Sequence, residues 1–193
     1  MKRIAIVYFS QDGATRLLAQ HVAEGAQHQR VESITLEIKA ADIITGRYQN
    51  DALFRQLLAC DAIVFASPTY MGGPAAQFKA FMDTSSDGYA NKLWRNKLAG
   101  GLTMGGSVNG EQQQTLYSFV TLACQHGMIW VGLDVSKHTD SRGLNHTGSS
   151  IGVVASYLDN TSQVNPNDLA TAFYYGERMA SLLNQLEGLC YKS

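Results

Sequence analysis

Apolar runs of strand length alternate along this chain with stretches in which apolar residues recur at helical spacing. The first run, Ile4-Ala5-Ile6-Val7-Tyr8-Phe9, is continuous and rich in β-branched residues, and behind it Leu18, Val22 and Ala26 recur on one face of a helix. Ile34, Leu36 and Ile38 alternate with polar residues, as in a strand with one wetter face. Leu53, Leu57 and Leu58 mark a second helix with Asp51 as its cap. Ala62-Ile63-Val64-Phe65-Ala66 is again unbroken, as expected of a central parallel strand buried on both sides. The alternation continues through a helix containing Phe78 and Phe81, a strand near Leu98 to Thr103, a helix carrying Leu116, Phe119 and Val120, and a strand near Met128 to Leu133. A last helix, capped by Asn165 with Pro166 in its first turn, runs through Phe173, Met179 and Leu183. Five strand–helix units predict an α/β fold with a doubly wound, five-stranded parallel sheet and helices on both faces.

The 193 residues fit one domain, 1–193, with a core large enough to bury such a sheet on both sides. A composition of 45% hydrophobic and 16% charged residues is that of a compact globule rather than a disordered chain. The net charge of −1 leaves no electrostatic footprint for nucleic acid or anionic lipid, so small or weakly charged partners are favoured. Lys2-Arg3 followed by apolar residues mimics a signal peptide, but the run stops at Phe9, and no stretch reaches membrane-spanning length. A cytoplasmic protein is expected. Cys60, Cys124 and Cys190 are odd in number and lack metal-ligand spacing, which favours buried or incidental thiols over a disulfide, a metal site or a nucleophile.

With strand order 2-1-3-4-5, the ligand crevice of such a sheet lies at the carboxyl ends of strands one and three. Strand one is followed by Ser10-Gln11-Asp12-Gly13-Ala14-Thr15, where hydroxyls and a glycine allow a tight loop to aim backbone N–H groups and a helix dipole at a dianion. Neither the nucleoside-triphosphate loop nor the dinucleotide glycine pattern is present, which leaves a phosphomonoester of a larger ligand. An ordinary capped βα turn fits the same residues. Strand three is followed by Ser67-Pro68-Thr69-Tyr70-Met71-Gly72-Gly73-Pro74, and strand four by Thr103-Met104-Gly105-Gly106-Ser107-Val108-Asn109-Gly110. Three loops of this kind at one edge suit a phosphate at one end and a flat ring at the other: glycines let amides approach the ring edge, and Tyr70 and Met71 offer polarizable surface to its face. The irregular stretch Asp134 to Asn165 is long enough to suggest function rather than idle connection.

These loops, together with Phe81-Met82-Asp83, Glu111-Gln112-Gln113-Gln114-Thr115 and Leu122-Ala123-Cys124-Gln125-His126-Gly127-Met128, resemble the flavodoxin-like fold and, within it, the NAD(P)H:quinone oxidoreductases of the WrbA type. The resemblance spans essentially the whole chain. It implies flavin mononucleotide (FMN) as cofactor, NAD(P)H as electron donor, a quinone as small-molecule substrate, and assembly as a homodimer or homotetramer. It also implies that Ser10, Gln11, Asp12, Gly13, Ala14 and Thr15 hold the phosphate, that Pro68, Thr69, Tyr70, Met71 and Gly72 border the isoalloxazine, and that Thr103, Met104, Gly105, Gly106 and Asn109 serve the ring edge and ribityl chain.

By the same resemblance His126 is the catalytic candidate, donating to the pyrimidine edge where negative charge gathers on reduction, and Tyr89 covers the flavin of a neighbouring subunit on the substrate side. A helix cap for His126 and a plain surface tyrosine for Tyr89 remain as alternatives. The implied reaction is a ping-pong transfer of two electrons from NAD(P)H to quinone, with no dedicated general base. A flavodoxin-type one-electron carrier and a flavin-binding module with negligible turnover are the competing functions, and the near-neutral charge speaks against a carrier that docks through an acidic surface. The chain departs from the family pattern in three places: Asp12 in the phosphate loop, a shortened segment around Ala40 to Asn50, and His146-Thr147 where a Pro-aromatic pair is usual. A carboxylate beside a phosphate repels it unless it turns to solvent or caps an amide.

Overall fold

The computed structural model describes residues 2–158 and 161–190. Its sheet is built from β1 (Arg3–Tyr8), β2 (Glu32–Glu37), β3 (Ala62–Tyr70), β4 (Leu98–Gly105), β5 (Ile129–Trp130) and β6 (Val153–Ser156). The strands run parallel in the order β2-β1-β3-β4-β5, with β6 also paired to β4. This is the doubly wound α/β architecture of flavodoxin-like proteins. Every residue from Ile4 to Tyr8 and from Ala62 to Pro68 is buried, because both faces are covered. On one face α1 (Ala14–His28) and α5 (Pro166–Cys190) pack over Ile4, Ile6, Val64 and Leu102; on the other, α2 (Asp51–Leu58), α3 (Ala76–Thr84) and α4 (Gln112–Gln125) pack over Ala5, Val7, Ile63 and Phe65.

The fifth strand position is split. β5 pairs with Leu98–Ala99 of β4 and then leaves the sheet, and β6 pairs with the upper half of β4, Leu102–Gly105. The expected strand Met128 to Leu133 is therefore shorter, and Asp134 to Asn165 is not wholly irregular, since Val153–Ser156 returns to the sheet inside it. Glycines permit the exit and the return: a Cβ on Gly132 would lie 2.5 Å from the Ser150 carbonyl, and one on Gly152 2.5 Å from that of Gly101. Buried Asn145 ties the excursion together, donating to the Val135 and Ser149 carbonyls at 2.8 and 3.0 Å and accepting from the Ser149 N–H at 3.0 Å.

The α2 cap is Asn50 rather than Asp51: its Oδ1 accepts from the Leu53 N–H at 3.0 Å. Asn165 caps α5 as expected, accepting from the Asn167 N–H at 2.9 Å. Of the cysteines, Cys60 is buried and Cys124 exposed, both as free thiols, and the Cys190 side chain lies outside the described residues.

Candidate active site

The connection after β1 turns through Gly13, which holds φ +97° at the N-terminal end of α1. No atom lies within 4 Å of a Cβ built there, so the glycine serves backbone conformation and not space. Ser10 Oγ accepts from the Gly13 N–H at 3.1 Å, and Asp12 Oδ1 accepts from the Ala14 N–H at 3.1 Å. Asp12 thus caps an amide of the loop, while its Oδ2 accepts from the hydroxyl of Tyr157, just beyond β6. Gln11 is exposed and Thr15 buried. Arg16, in the first turn of α1, is turned to Glu37 at 2.6 Å, which leaves the loop's attraction for anions to its amides and the helix dipole.

After β3 the chain makes a two-residue hairpin, with Thr69 paired to Pro74 and Tyr70 to Gly73. Met71 (φ +48°) and Gly72 (φ +79°) form its tip, and Met71 is fully exposed. A methionine in the left-handed region at a turn that favours Asn or Gly is a strained choice, and it presents the thioether to the crevice mouth. Pro68 is buried. Thr69 faces inward: its Oγ1 lies 2.8 Å from that of Thr103 on β4 and 2.7 Å from that of Thr115 on α4, and Thr103 Oγ1 donates to the Ser67 carbonyl at 2.8 Å. Thr103 and Met104 are both buried: Thr103 ties β4 to β3, and Met104 packs into the core beneath α1 and α5.

Gly105, the last residue of β4, and Gly106, Ser107 and Asn109 beyond it form with Thr69, Met71, Gly72, Glu111 and Gln112 a cleft of about 380 Å³. Gln112 is buried, donates through Nε2 to the Ser107 carbonyl, and has no partner for Oε1 among the described residues. A Cβ on Gly105 would lie 2.8 Å from the Gln112 side chain, so that glycine makes room for it. Asn109 reaches the excursion through Nδ2, which donates to the Thr147 carbonyl at 3.0 Å. His146 lies against buried Asp168, with Nε2 2.9 Å from Oδ1, in a geometry that lacks the alignment of a hydrogen bond. Burial raises the Asp168 carboxyl above its usual range, opposed by the Ser156 N–H and by His146.

His126 lies elsewhere. α4 starts at the cleft with Gln112 and runs down the sheet for 14 residues, about 21 Å at 1.5 Å per residue, so His126 at its carboxyl end is at the opposite edge. There it is buried, with Nε2 3.0 Å from Ser85 Oγ, Nδ1 without a partner among the described residues, and its ring 4.4 Å from that of Trp94 and 6.1 Å from that of Tyr89. It lines a second cleft of about 330 Å³ with Phe54, Leu58, Leu93 and Trp94. Burial holds its imidazole below the ordinary value. Within one chain, then, the structure gathers the residues of the three loops and sets Tyr89 and His126 together at the far end.

Glu111, Gln112 and Tyr157 are site neighbours that sequence reasoning left out of the binding set. Glu111 and Gln112 carried a signal, since they follow the glycine-rich loop directly; Tyr157 carried none.

Residues 2–140 match the family model described as NADPH-dependent FMN reductase. The chain belongs to that family. As a member of this oxidoreductase family it is similar, at 37% identity over 96% of its length and 99% of the relative's, to the protein named flavodoxin FldP of Pseudomonas aeruginosa strain UCBPP-PA14. It is 30% identical to an NAD(P)H dehydrogenase (quinone) of Caulobacter vibrioides strain NA1000 / CB15N, covering 97% of this chain and 100% of that protein. Among solved structures, a flavodoxin, WrbA-like protein from Agrobacterium tumefaciens superposes with a TM-score of 0.75 at 36% identity, covering 96% of this chain and 99% of that one.

Proposed function

We propose that this family member is an FMN-dependent NAD(P)H:quinone oxidoreductase that works by ping-pong, one nicotinamide and one quinone using the same stacking position in turn. The observation that carries the reading is the cleft between the β3 and β4 loops. Gly72, Gly73 and Gly106 open onto space with no atom within 4 Å of an added Cβ, and the buried Gln112 Oε1 at its wall awaits a donor. Flavin mononucleotide fits this chemistry. It has donors in its ring N3–H and ribityl hydroxyls for such an acceptor, a phosphate for the amides at the start of α1, and a flat ring for the glycine-walled space.

In this reading Ser10 to Thr15 seat the phosphate, Tyr70, Met71 and Gly72 border the ring, and Gly105 to Asn109 with Gln112 hold its polar edge. Held by these residues, FMN would supply the redox chemistry, as acceptor of a hydride from the nicotinamide and donor of two electrons to the quinone. The threonine network of Thr69, Thr103 and Thr115 fixes the β3 and β4 loops against one another, which holds the cleft between them in one shape. Because Tyr89 and His126 sit together at the opposite edge, they serve the site only from a neighbouring subunit, which makes a homodimer or homotetramer the working unit. No helix among the described residues is long and apolar enough to cross a membrane, and we place the enzyme in the cytoplasm.

Similarity to a protein named flavodoxin favours a second reading, a one-electron carrier. Purification with FMN, followed by steady-state oxidation of NADH and NADPH with and without benzoquinone, separates the two. Quinone-stimulated oxidation supports the enzyme. Its absence with either nucleotide, in a protein that retains FMN, would make the carrier the better account.

A further inference from the structure

The carboxylate of Asp12 lies inside the loop after β1 and takes one of the amides that a phosphate seated there would use. Its Oδ1 accepts from the Ala14 N–H at 3.1 Å, in the first residue of α1. It is held there from across the crevice: Tyr157, at the base of the loop closed by its own bridge to Val164, donates its hydroxyl to Oδ2. Asp12 is exposed, and among the described residues this hydroxyl and the Ala14 amide are the groups that keep its side chain from turning to solvent. Tyr70, the last residue of β3, stands within the field of the same carboxylate. The phenol of Tyr157 is pushed up to about 12, by burial first and then by its bond to Asp12 and that residue's charge.

We propose that Asp12, fastened by Tyr157, is a built-in competitor for the phosphate seat, a specificity-determining pair that makes the flavin's phosphate enter only by displacing an internal anion and so keeps the flavin exchangeable. The proposal rests on the reading of Ser10 to Thr15 as that seat. Two anions cannot share the Ala14 amide, and a carboxylate left beside the phosphate repels it at close range. Tyr157 decides how often the competitor is in place, because its hydroxyl is the donor that fixes Oδ2.

The test is titration of the full-length apoprotein with FMN and with riboflavin, read by quenching of flavin fluorescence, for wild type, Asp12→Asn, Tyr157→Phe and the double variant, with thermal melts confirming that each is folded. Asp12→Asn is expected to tighten FMN by about tenfold while moving riboflavin less than about twofold, since only the phosphate feels the removed charge. Tyr157→Phe should tighten FMN by a smaller factor, and the double variant should match Asp12→Asn. Asp12→Ser provides the same comparison if the asparagine variant does not fold. FMN affinity unchanged or weakened by Asp12→Asn overturns the competitor, and FMN weakened by Tyr157→Phe overturns the latch by making Tyr157 a donor to the phosphate itself. FMN bound no more tightly than riboflavin by wild type and variants alike would remove the phosphate seat, and the proposal with it; that pattern differs from the first two, in which wild type still prefers FMN.

Discussion

Gly13 and Met71 both hold left-handed backbone at the crevice, one without cost and one with strain. Gly13→Val puts a β-branched side chain at φ +97°, where there is space for it but no comfortable conformation. A left-handed residue with a Cβ costs roughly 1–2 kcal/mol. FMN affinity should therefore fall by about tenfold, and riboflavin affinity by much less, in parallel titrations. If both flavins weakened equally, the loop would support the fold and not the phosphate. His126 lends itself to a different measurement. Burial lowers its folded pKa below the ordinary value of about 6.5, so its contribution to stability is present above that pH and is lost as pH falls through the folded value. The melting temperature of wild type should drop more between pH 7 and pH 5 than that of His126→Asn, and parallel curves would show that the imidazole does not titrate as a buried group. The three loops were readable at this scale, because glycine, proline and hydroxyl residues cluster where the chain must turn at a sheet edge. Two facts were not. Whether Asp12 faces a ligand or an amide depends on Tyr157, 145 positions away, and the orphaned Gln112 Oε1 exists only once Ser107 has taken the Nε2 donor.

Among the elements, the contact between α1 and α5 rests on two glycines. A Cβ on Gly25 would lie 1.9 Å from the Phe173 carbonyl oxygen, and one on Gly176 2.0 Å from that of Val22, backbone against backbone with no flexible side chain to give way. Gly176→Ala, although it raises helix propensity, should destabilise the protein by about 1–3 kcal/mol or more because the helices must move apart. Chemical denaturation would check this; a stabilised variant would mean that the two helices separate without loss. The order of elements was legible because alternation of a short apolar run with a helical period has few solutions. Their boundaries were less so. Asn50 and Asp51 are both good caps, and only the turn geometry selects the first. The strand near Met128 to Leu133 looks continuous in sequence, yet Gly132 and Gly152 let the chain leave and re-enter, and only the register with β4 shows that two short pieces occupy one strand position.

For the whole molecule, the decisive geometry is the length of α4. Gln112 at one end lines the crevice and His126 at the other packs against the rings of Trp94 and Tyr89, so a single chain cannot bring both to one flavin. The sequence places His126 at a helix end but says nothing of which edge that end occupies, and the resemblance supplied its role without its subunit. If the site is completed by a neighbour, each subunit gives its crevice to one site and its Tyr89 and His126 to another. A chain carrying Gly13→Val keeps intact Tyr89 and His126, and a chain carrying Tyr89→Ala with His126→Ala keeps an intact crevice. Each homo-oligomer should be impaired, the first in FMN affinity and the second in its KM for quinone more than in FMN affinity. Co-expressed with different tags and purified through both, the mixed oligomer should contain sites with a sound crevice facing a sound Tyr89–His126 pair. At limiting FMN and quinone it should show quinone-dependent NAD(P)H oxidation above that of either parent. Activity equal to the mean of the two parents would place every functional residue within one chain and leave Tyr89 and His126 with a structural task at the far edge of the sheet.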